Sequence, residues 1–230
     1  MSNGEYRHEL KYYINQGDYT LLSKKLSLTM EQDRFARKNG GEYFIRSLYF
    51  DDVNDTAFRD KLNGVDQRDK VRIRIYNMTD DTIKLECKHK QNGYILKDSI
   101  PLSRRECDAL LSGTYSFLLQ RKEPFAHAMF ARFATSRLLP CVMVDYTREA
   151  YTFPLEDVRV TFDKNLHTGY RSVALFDAHA PTYPVIDRYD MVMEVKFNKY
   201  LSTYIRSLIQ TEAHTRSAIS KYCLCRRFEL

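Results

Sequence analysis

The chain has 230 residues, 43% hydrophobic and 13% aromatic, with 17 Tyr, 13 Phe and no Trp; that suits one large domain with a sizeable core and excludes a disordered or low-complexity chain. The net charge of +6 at pH 7 fits nucleic acid, a membrane surface or an anionic small substrate without choosing among them, and no block of five or six like charges marks a disordered basic arm. No apolar stretch follows Met1 and no run of about 18 apolar residues occurs, so neither a signal peptide nor a membrane-spanning helix is expected. The five Cys, at 87, 107, 141, 223 and 225, are scattered; they read as reduced thiols of a cytoplasmic protein.

Residues 5–14 (EYRHELKYYI) read as a strand. Over 15–29, Asp18 is an N-cap candidate and Leu21, Leu22, Leu26 and Leu28 form an apolar stripe, which predicts a short amphipathic helix. Residues 42–51 read as a strand, and 51–64 as a turn and short helix ending at Gly64. Strands follow at 68–77, 82–91 and 94–100, the last two joined by Asn92-Gly93, the strongest short-range hairpin signal. Ser103 with Glu106 three residues on makes a capping box, opening a helix that Gly113 ends. Residues 116–137 read as helical, with a start near Pro124. Strands resume at 141–153, 157–163 and 190–198, and 200–210 and 217–228 read as helices. Strands interrupted by helices, without regular alternation, predict an antiparallel-rich α+β fold in a single domain over 1–230. Eight or so strands would close a barrel and remove its edges.

Side chains alternate between the two faces of a strand. In KVRIRIY (70–76), Val71, Ile73 and Ile75 take one face and Lys70, Arg72, Arg74 and Tyr76 the other. The same spacing gives Arg7, Glu9, Lys11 and Tyr13 on the first strand, and Lys84, Glu86, Lys88 and Lys90 on 82–90. It also gives Val142, Val144, Tyr146 and Arg148, and Glu194 with Lys196. For one strand alone, a solvated face is the simpler reading. Five strands of long cations with isolated Glu, backed by apolar faces that helices can cover, point instead to a barrel with its charged faces turned inward. An empty lumen of that kind would repel itself and be poorly hydrated, so a polyanion and a metal are expected to fill it. Arginine binds phosphate oxygens in bidentate fashion and lysine supplies compact charge. Carboxylates among them suit a hard divalent cation, which neutralises charge in phosphoryl transfer.

The motifs RHELKYYI, VRIRIY, LECKHK, DYTREAY and MEVKFNKYLS, closed by SKY, resemble in order the VTC domain. That is the catalytic domain of polyphosphate polymerases of the vacuolar transporter chaperone type, within the triphosphate tunnel metalloenzymes. The resemblance covers about residues 5–228. It implies an eight-stranded antiparallel tunnel barrel with helices packed outside, and transfer of the ATP γ-phosphate to a growing inorganic polyphosphate chain with Mn²⁺ or Mg²⁺. By motif, Lys11 resembles a tunnel lysine that orients the transferring or accepting phosphate. Arg72 and Arg74 resemble the phosphate-binding pair. Lys88 and Lys97 resemble further phosphate-contacting lysines, with Lys84 on the same strand as Lys88. Tyr146 and Arg148 resemble a tyrosine–arginine pair, and Glu194 the metal ligand, assisted by Glu9 or Glu86, with Lys196 beside it. Ser220, Lys221 and Tyr222 resemble the C-terminal segment that reaches the tunnel. The first strand departs from the Glu-x-Glu-x-Lys of many tunnel enzymes: Arg7 stands where the first carboxylate would be. That leans away from triphosphate hydrolysis or cyclase chemistry toward the polymerase. A tunnel triphosphatase and a non-catalytic polyphosphate or inositol-polyphosphate sensor are the other two readings.

The six histidines (8, 89, 127, 167, 179 and 214) show no His-x-x-x-His or Glu-x-x-His pair, so a zinc site is not expected. Gly40-Gly41 lacks the Lys-Ser/Thr of a phosphate-binding loop. No RNP-like motif supports nucleic-acid binding, and the glutamates oppose it. The Tyr/Phe stripe at 43–50 reads as core, and Asp163 as structural or at the tunnel mouth.

Overall fold

A computed structural model describes residues 7–169, 172–187, 190–210 and 217–229; residues 5 and 6 of the first expected strand and His214 lie outside them. The elements in chain order are β1 (His8–Ile14), α1 (Gln16–Thr29), β2 (Glu31–Gln32), α2 (Arg34–Lys38), β3 (Glu42–Asp51), α3 (Thr56–Leu62) and β4 (Arg68–Tyr76). Then come β5 (Thr79–Gln91), β6 (Tyr94–Leu102), α4 (Arg104–Leu111), a 3₁₀ turn (Ser116–Gln120), α5 (Pro124–Ser136) and β7 (Leu139–Phe153). A second 3₁₀ turn (Pro154–Glu156), β8 (Val158–Thr168), β9 (Tyr183–Pro184), β10 (Met191–Phe197), α6 (Thr203–Ile209) and α7 (Lys221–Glu229) complete the order.

Eight long strands pair antiparallel in the order β1-β10-β8-β7-β3-β4-β5-β6, with the short β2 on β7 and β9 on β8. The two ends of this path meet at one bridge, where Arg7 and Ile95 exchange backbone bonds of 3.1 and 3.3 Å. The expected antiparallel α+β fold with eight main strands is therefore present, with a seam of one bridge in place of a full ladder.

Local chemistry explains most boundaries. Asn92 (φ 52°) and Gly93 (φ 79°) are both left-handed, as a two-residue hairpin turn requires. A second such turn, Asn77 (φ 49°) and Met78 (φ 57°), joins β4 to β5. It has no glycine to mark it in the sequence, and β5 begins at Thr79, before the expected 82. The Asn77 side chain supports it, accepting from Phe44 N at 2.9 Å and donating to Asn39 at 2.7 Å. Ser103 and Glu106 form the expected capping box. For α1 the cap is Asn15; Asp18, expected as the cap, occupies the third helical position and completes that box. The helix read over 217–228 begins only at Lys221, because 217–220 is drawn out along the barrel: Ser217 N donates to Lys11 O at 2.9 Å.

The apolar strand faces lie outside, beneath helices. Val71, Ile73, Ile75 and Leu85 pack with Leu110 of α4 and with Met129 and Phe133 of α5. Val160, Phe162 and Val195 pack with Leu22 and Leu26 of α1 and Ile205 and Ile209 of α6. Each such side chain contributes roughly 1.5–3 kcal/mol by leaving water. Part of the inner wall is apolar too. Tyr49 of β3 and Val142 and Val144 of β7 are covered by Tyr222, Cys223 and Cys225 of α7. Only the remaining part of the interior is charged.

Candidate active site

That remaining interior is a cavity of about 420 Å³. Eleven Lys or Arg side chains line it against two carboxylates, Glu9 and Glu194. Lys11, Arg72, Arg74, Lys88, Tyr146, Arg148, Lys196, Ser220, Lys221 and Tyr222 are all among the lining residues. Lys84, Lys97 and Glu86 are not. Glu86 is only 1% exposed and stands directly across from Arg72, accepting from Arg72 Nε at 2.8 Å and from Lys97 Nζ at 3.0 Å. Burial works against its charge, but Arg72, Arg74 and Lys97 outweigh it and hold its carboxyl well below the usual range.

The two central arginines are held in fixed orientations. Arg72 also donates to Tyr49 Oη at 2.8 Å. Arg74 donates to Ser47 Oγ and Tyr146 Oη, both at 3.0 Å. Ser47 and Tyr49 stand directly across from Arg74 and Arg72 in the β3–β4 register, so their role follows from strand pairing. Arg148 makes a two-pronged contact with Asp163 (2.6 and 2.8 Å), and Lys221 pairs with the same carboxylate. Asp163 is fully buried; burial favours its neutral form, but Arg148 and Lys221 pull its pKa down to about 2.

Glu9 and Glu194 share their partners. Lys11 lies 3.4 Å from Glu9 and 3.6 Å from Glu194; Lys196 lies 3.6 Å from each. Lys88 contacts Glu9 at 2.7 Å and Arg148 approaches Glu194 at 3.6 Å. Burial and mutual repulsion raise the Glu9 pKa, while Lys11 and Lys88 bring it below the usual value. Glu194 is also opposed by burial but is held well down by Lys196 and Lys11. Two close, ionised carboxylates are hard oxygen donors of the kind a small divalent cation takes together with substrate phosphates. Thr161, directly across from Glu194 on β8, is fully buried, and its hydroxyl has no hydrogen-bond partner among the described residues. The donor set therefore fits a divalent metal held by Glu9 and Glu194, the two carboxylates of the lining.

Lys70 was not singled out by the sequence beyond its place on the cationic face. Its Nζ donates to Ser220 Oγ at 2.7 Å and meets no carboxylate within 4 Å among the described residues. Burial pushes it down to about 7. Lys196 is likewise lowered by burial, to about 8, in spite of Glu194 and Glu9. Such amines gain their protons when an anion arrives. The extended segment before α7 touches the same groups: Lys11 Nζ donates to Ile219 O at 3.2 Å. Tyr222, by contrast, has its hydroxyl spent on Asp51 at 2.5 Å.

The VTC domain model matches residues 6–228. No curated protein matches the chain. Among solved structures, a Hippeastrum protein assigned as an adenylyl cyclase and described as having a dominant triphosphatase activity is 16% identical, with a TM-score of 0.56 over 98% of this chain and 97% of its own. A Bacillus halodurans protein assigned as an adenylate cyclase is 13% identical, with a TM-score of 0.53 over 85% of this chain and 82% of its own. At these identities the likeness is one of fold.

Proposed function

The chain belongs to the VTC domain family, and on that premise we propose that it is a polyphosphate polymerase, moving the ATP γ-phosphate onto an inorganic polyphosphate chain. The observation that supports this most is the cavity lining, eleven cations against two carboxylates, which suits a substrate carrying one charge per phosphate along its length. Arg72, Arg74, Lys88 and Arg148 bind phosphate oxygens. The orientations of the three arginines are set before substrate arrives by Glu86, Tyr49, Ser47, Tyr146 and Asp163, and that of Lys88 by Glu9, so little reorganisation accompanies reaction. Lys11 and Lys196, each paired with both carboxylates, orient the transferring phosphate. Glu9 and Glu194 would hold Mn²⁺ or Mg²⁺, which supplies charge neutralisation at the phosphoryl oxygens. Lys70 donates to Ser220 Oγ, which spends that hydroxyl on holding the lysine in the lumen, and direct in-line transfer between phosphates is the step the cations and carboxylates serve.

Incubation of the purified protein with ATP and Mn²⁺ tests this reading. Long acid-labile polymer with ADP is the expected product. Free phosphate without polymer would make the protein a tunnel triphosphatase, in line with the activity described for the Hippeastrum structure. ATP left intact, with polyphosphate still bound, would make it a sensor.

The lowered lysines give a pH signature. In the free protein Lys70 and Lys196 lose their protons near pH 7 and 8; a bound phosphate favours the ammonium forms. Binding above pH 7 therefore takes up protons, and metal-free tripolyphosphate affinity should fall roughly tenfold or more between about pH 7 and 9. Calorimetry in buffers of different ionisation enthalpy measures both quantities. Lys70→Met should remove its part of the fall and leave that of Lys196, and a flat profile in the parent protein would remove both lysines from the site. No helix among the described residues is long and apolar enough to cross a membrane.

A further inference from the structure

On the outer face of the same wall, behind the cationic lumen, lies a second cluster of polar side chains. Asp69 of β4, Cys87 and His89 of β5 bring one ligating atom each to within 4.8 Å of one another. They are the one grouping of three or more Asp, Glu, His or Cys with that convergence among the described residues. His89 stands directly opposite Asp69 in the β4–β5 register, and Cys87 opposite Asp98 of β6. His89 Nδ1 is 2.7 Å from Asp69 Oδ1 and 3.9 Å from Cys87 Sγ, while Nε2 is 3.4 Å from Asp98 Oδ2.

Two organic cations already crowd this cluster. Arg132 of α5 reaches Asp69 with Nη1, which also lies 3.9 Å from Cys87 Sγ. Its Nε is buried with no hydrogen-bond partner among the described residues. His89 is the other, its pKa raised to about 10 chiefly by its hydrogen bond to Asp69. The set thus attracts positive charge, and its guanidinium is poorly satisfied.

We propose that Asp69, Cys87 and His89 form a binding site for a borderline transition-metal dication of the Zn²⁺ type, with Asp98 orienting His89 and Arg132 as the built-in competitor. Thiolate, imidazole and carboxylate together select such an ion over Mg²⁺ or Mn²⁺, which prefer oxygen alone. Zinc–sulfur and zinc–nitrogen bonds of about 2.3 and 2.0 Å put those two ligand atoms roughly 3.5 Å apart in a tetrahedron, near the observed spacing. A carboxylate on the far nitrogen of a ligating histidine is the usual orienting contact. On binding, the metal takes the place of the Cys87 thiol proton and of the proton between His89 and Asp69, and Arg132 swings away into solvent. Two of the ligands alternate along the strands with lumen cations: Asp69 with Lys70 and Cys87 with Lys88. Occupancy would tie β4 to β5 on the face opposite the phosphate-binding lysines, with β6 joined through Asp98.

Co²⁺ is the probe, because thiolate ligation gives it a near-ultraviolet charge-transfer band. The full chain should bind one equivalent with that band. His89→Ala should abolish it, and Asp98→Asn should weaken affinity about 10–100-fold. Arg132→Ala should tighten it at least tenfold, and Glu194→Gln in the lumen should leave it unchanged. Cys87 is fully buried, so Cys87→Ser is informative only if folded; the His89 and Arg132 variants serve otherwise. No thiolate band at millimolar Co²⁺, or a band indifferent to His89→Ala, would overturn the site and leave the cluster as an anchor of α5 to the sheet.

Discussion

Glu194→Gln should lower ATP turnover about 1,000-fold while metal-free tripolyphosphate binding is kept or tightened. The loss follows from removing one of two carboxylates that can hold the divalent ion, whose charge stabilisation is worth several kcal/mol in the transition state. The gain in anion affinity follows from the lining: with Glu194 neutral, Lys11, Lys196, Arg148 and Lys221 lose a shared counter-charge. A binder without chemistry would show the second effect without the first. Stopped turnover assays with saturating Mn²⁺, paired with calorimetry on tripolyphosphate, separate the two. Turnover within tenfold of the parent would remove Glu194 from the metal site.

Asp163→Asn should cost more stability than any other polar substitution in the interior. The residue is fully buried and holds both Arg148 and Lys221. Breaking a buried pair strands the remaining charge at about 3–5 kcal/mol, which for a chain of this length is a fall in Tm of roughly 10 °C. The sign with pH is the usual carboxylate one: the folded pKa of about 2 lies below the unfolded value of about 3.9. The contribution is therefore complete above pH 5 and fades between about pH 4 and 2. Tripolyphosphate supplies the missing negative charge, so it should raise the Tm of the variant more than that of the parent. Calorimetric scans with and without the anion check this; equal anion shifts would mean that Arg148 and Lys221 do not face the bound phosphate.

Much of this arrangement was legible in the alternation of residues. The Val71, Ile73, Ile75 face had to be covered, and helices with apolar stripes were available to cover it, which turned Arg72 and Arg74 inward. The Asn92-Gly93 turn and the Ser103–Glu106 box carry their geometry in their side chains. What was hidden depends on strand partners far apart in the chain. Ser47, Tyr49 and Asp163 gain their roles only when β3 lies beside β4 and β8 beside β7. Glu86 shares its spacing with Lys88 yet pairs with Arg72 and Lys97 and does not line the cavity, a distinction that parity alone does not carry. Val142 and Val144 share a face with Arg148 but meet α7, a packing that no strand pattern encodes. The outer Cys87–His89 pair escaped because metal-site spacings are usually sought at helical intervals, and here the interval is that of a strand.

The pairing of β1 with β10 bears on how the protein reaches its working form. These strands come from positions 8–14 and 191–197, so nearly the whole chain must be in place before Lys11 can face Glu194. Closing so long a loop is entropically late, and barrels rich in such contacts fold slowly. A partly folded chain can hold the β3–β4–β5–β6 meander, with Arg72, Arg74 and Lys88 already in a row, while the two carboxylates remain apart. Anion capture would then precede metal capture during maturation.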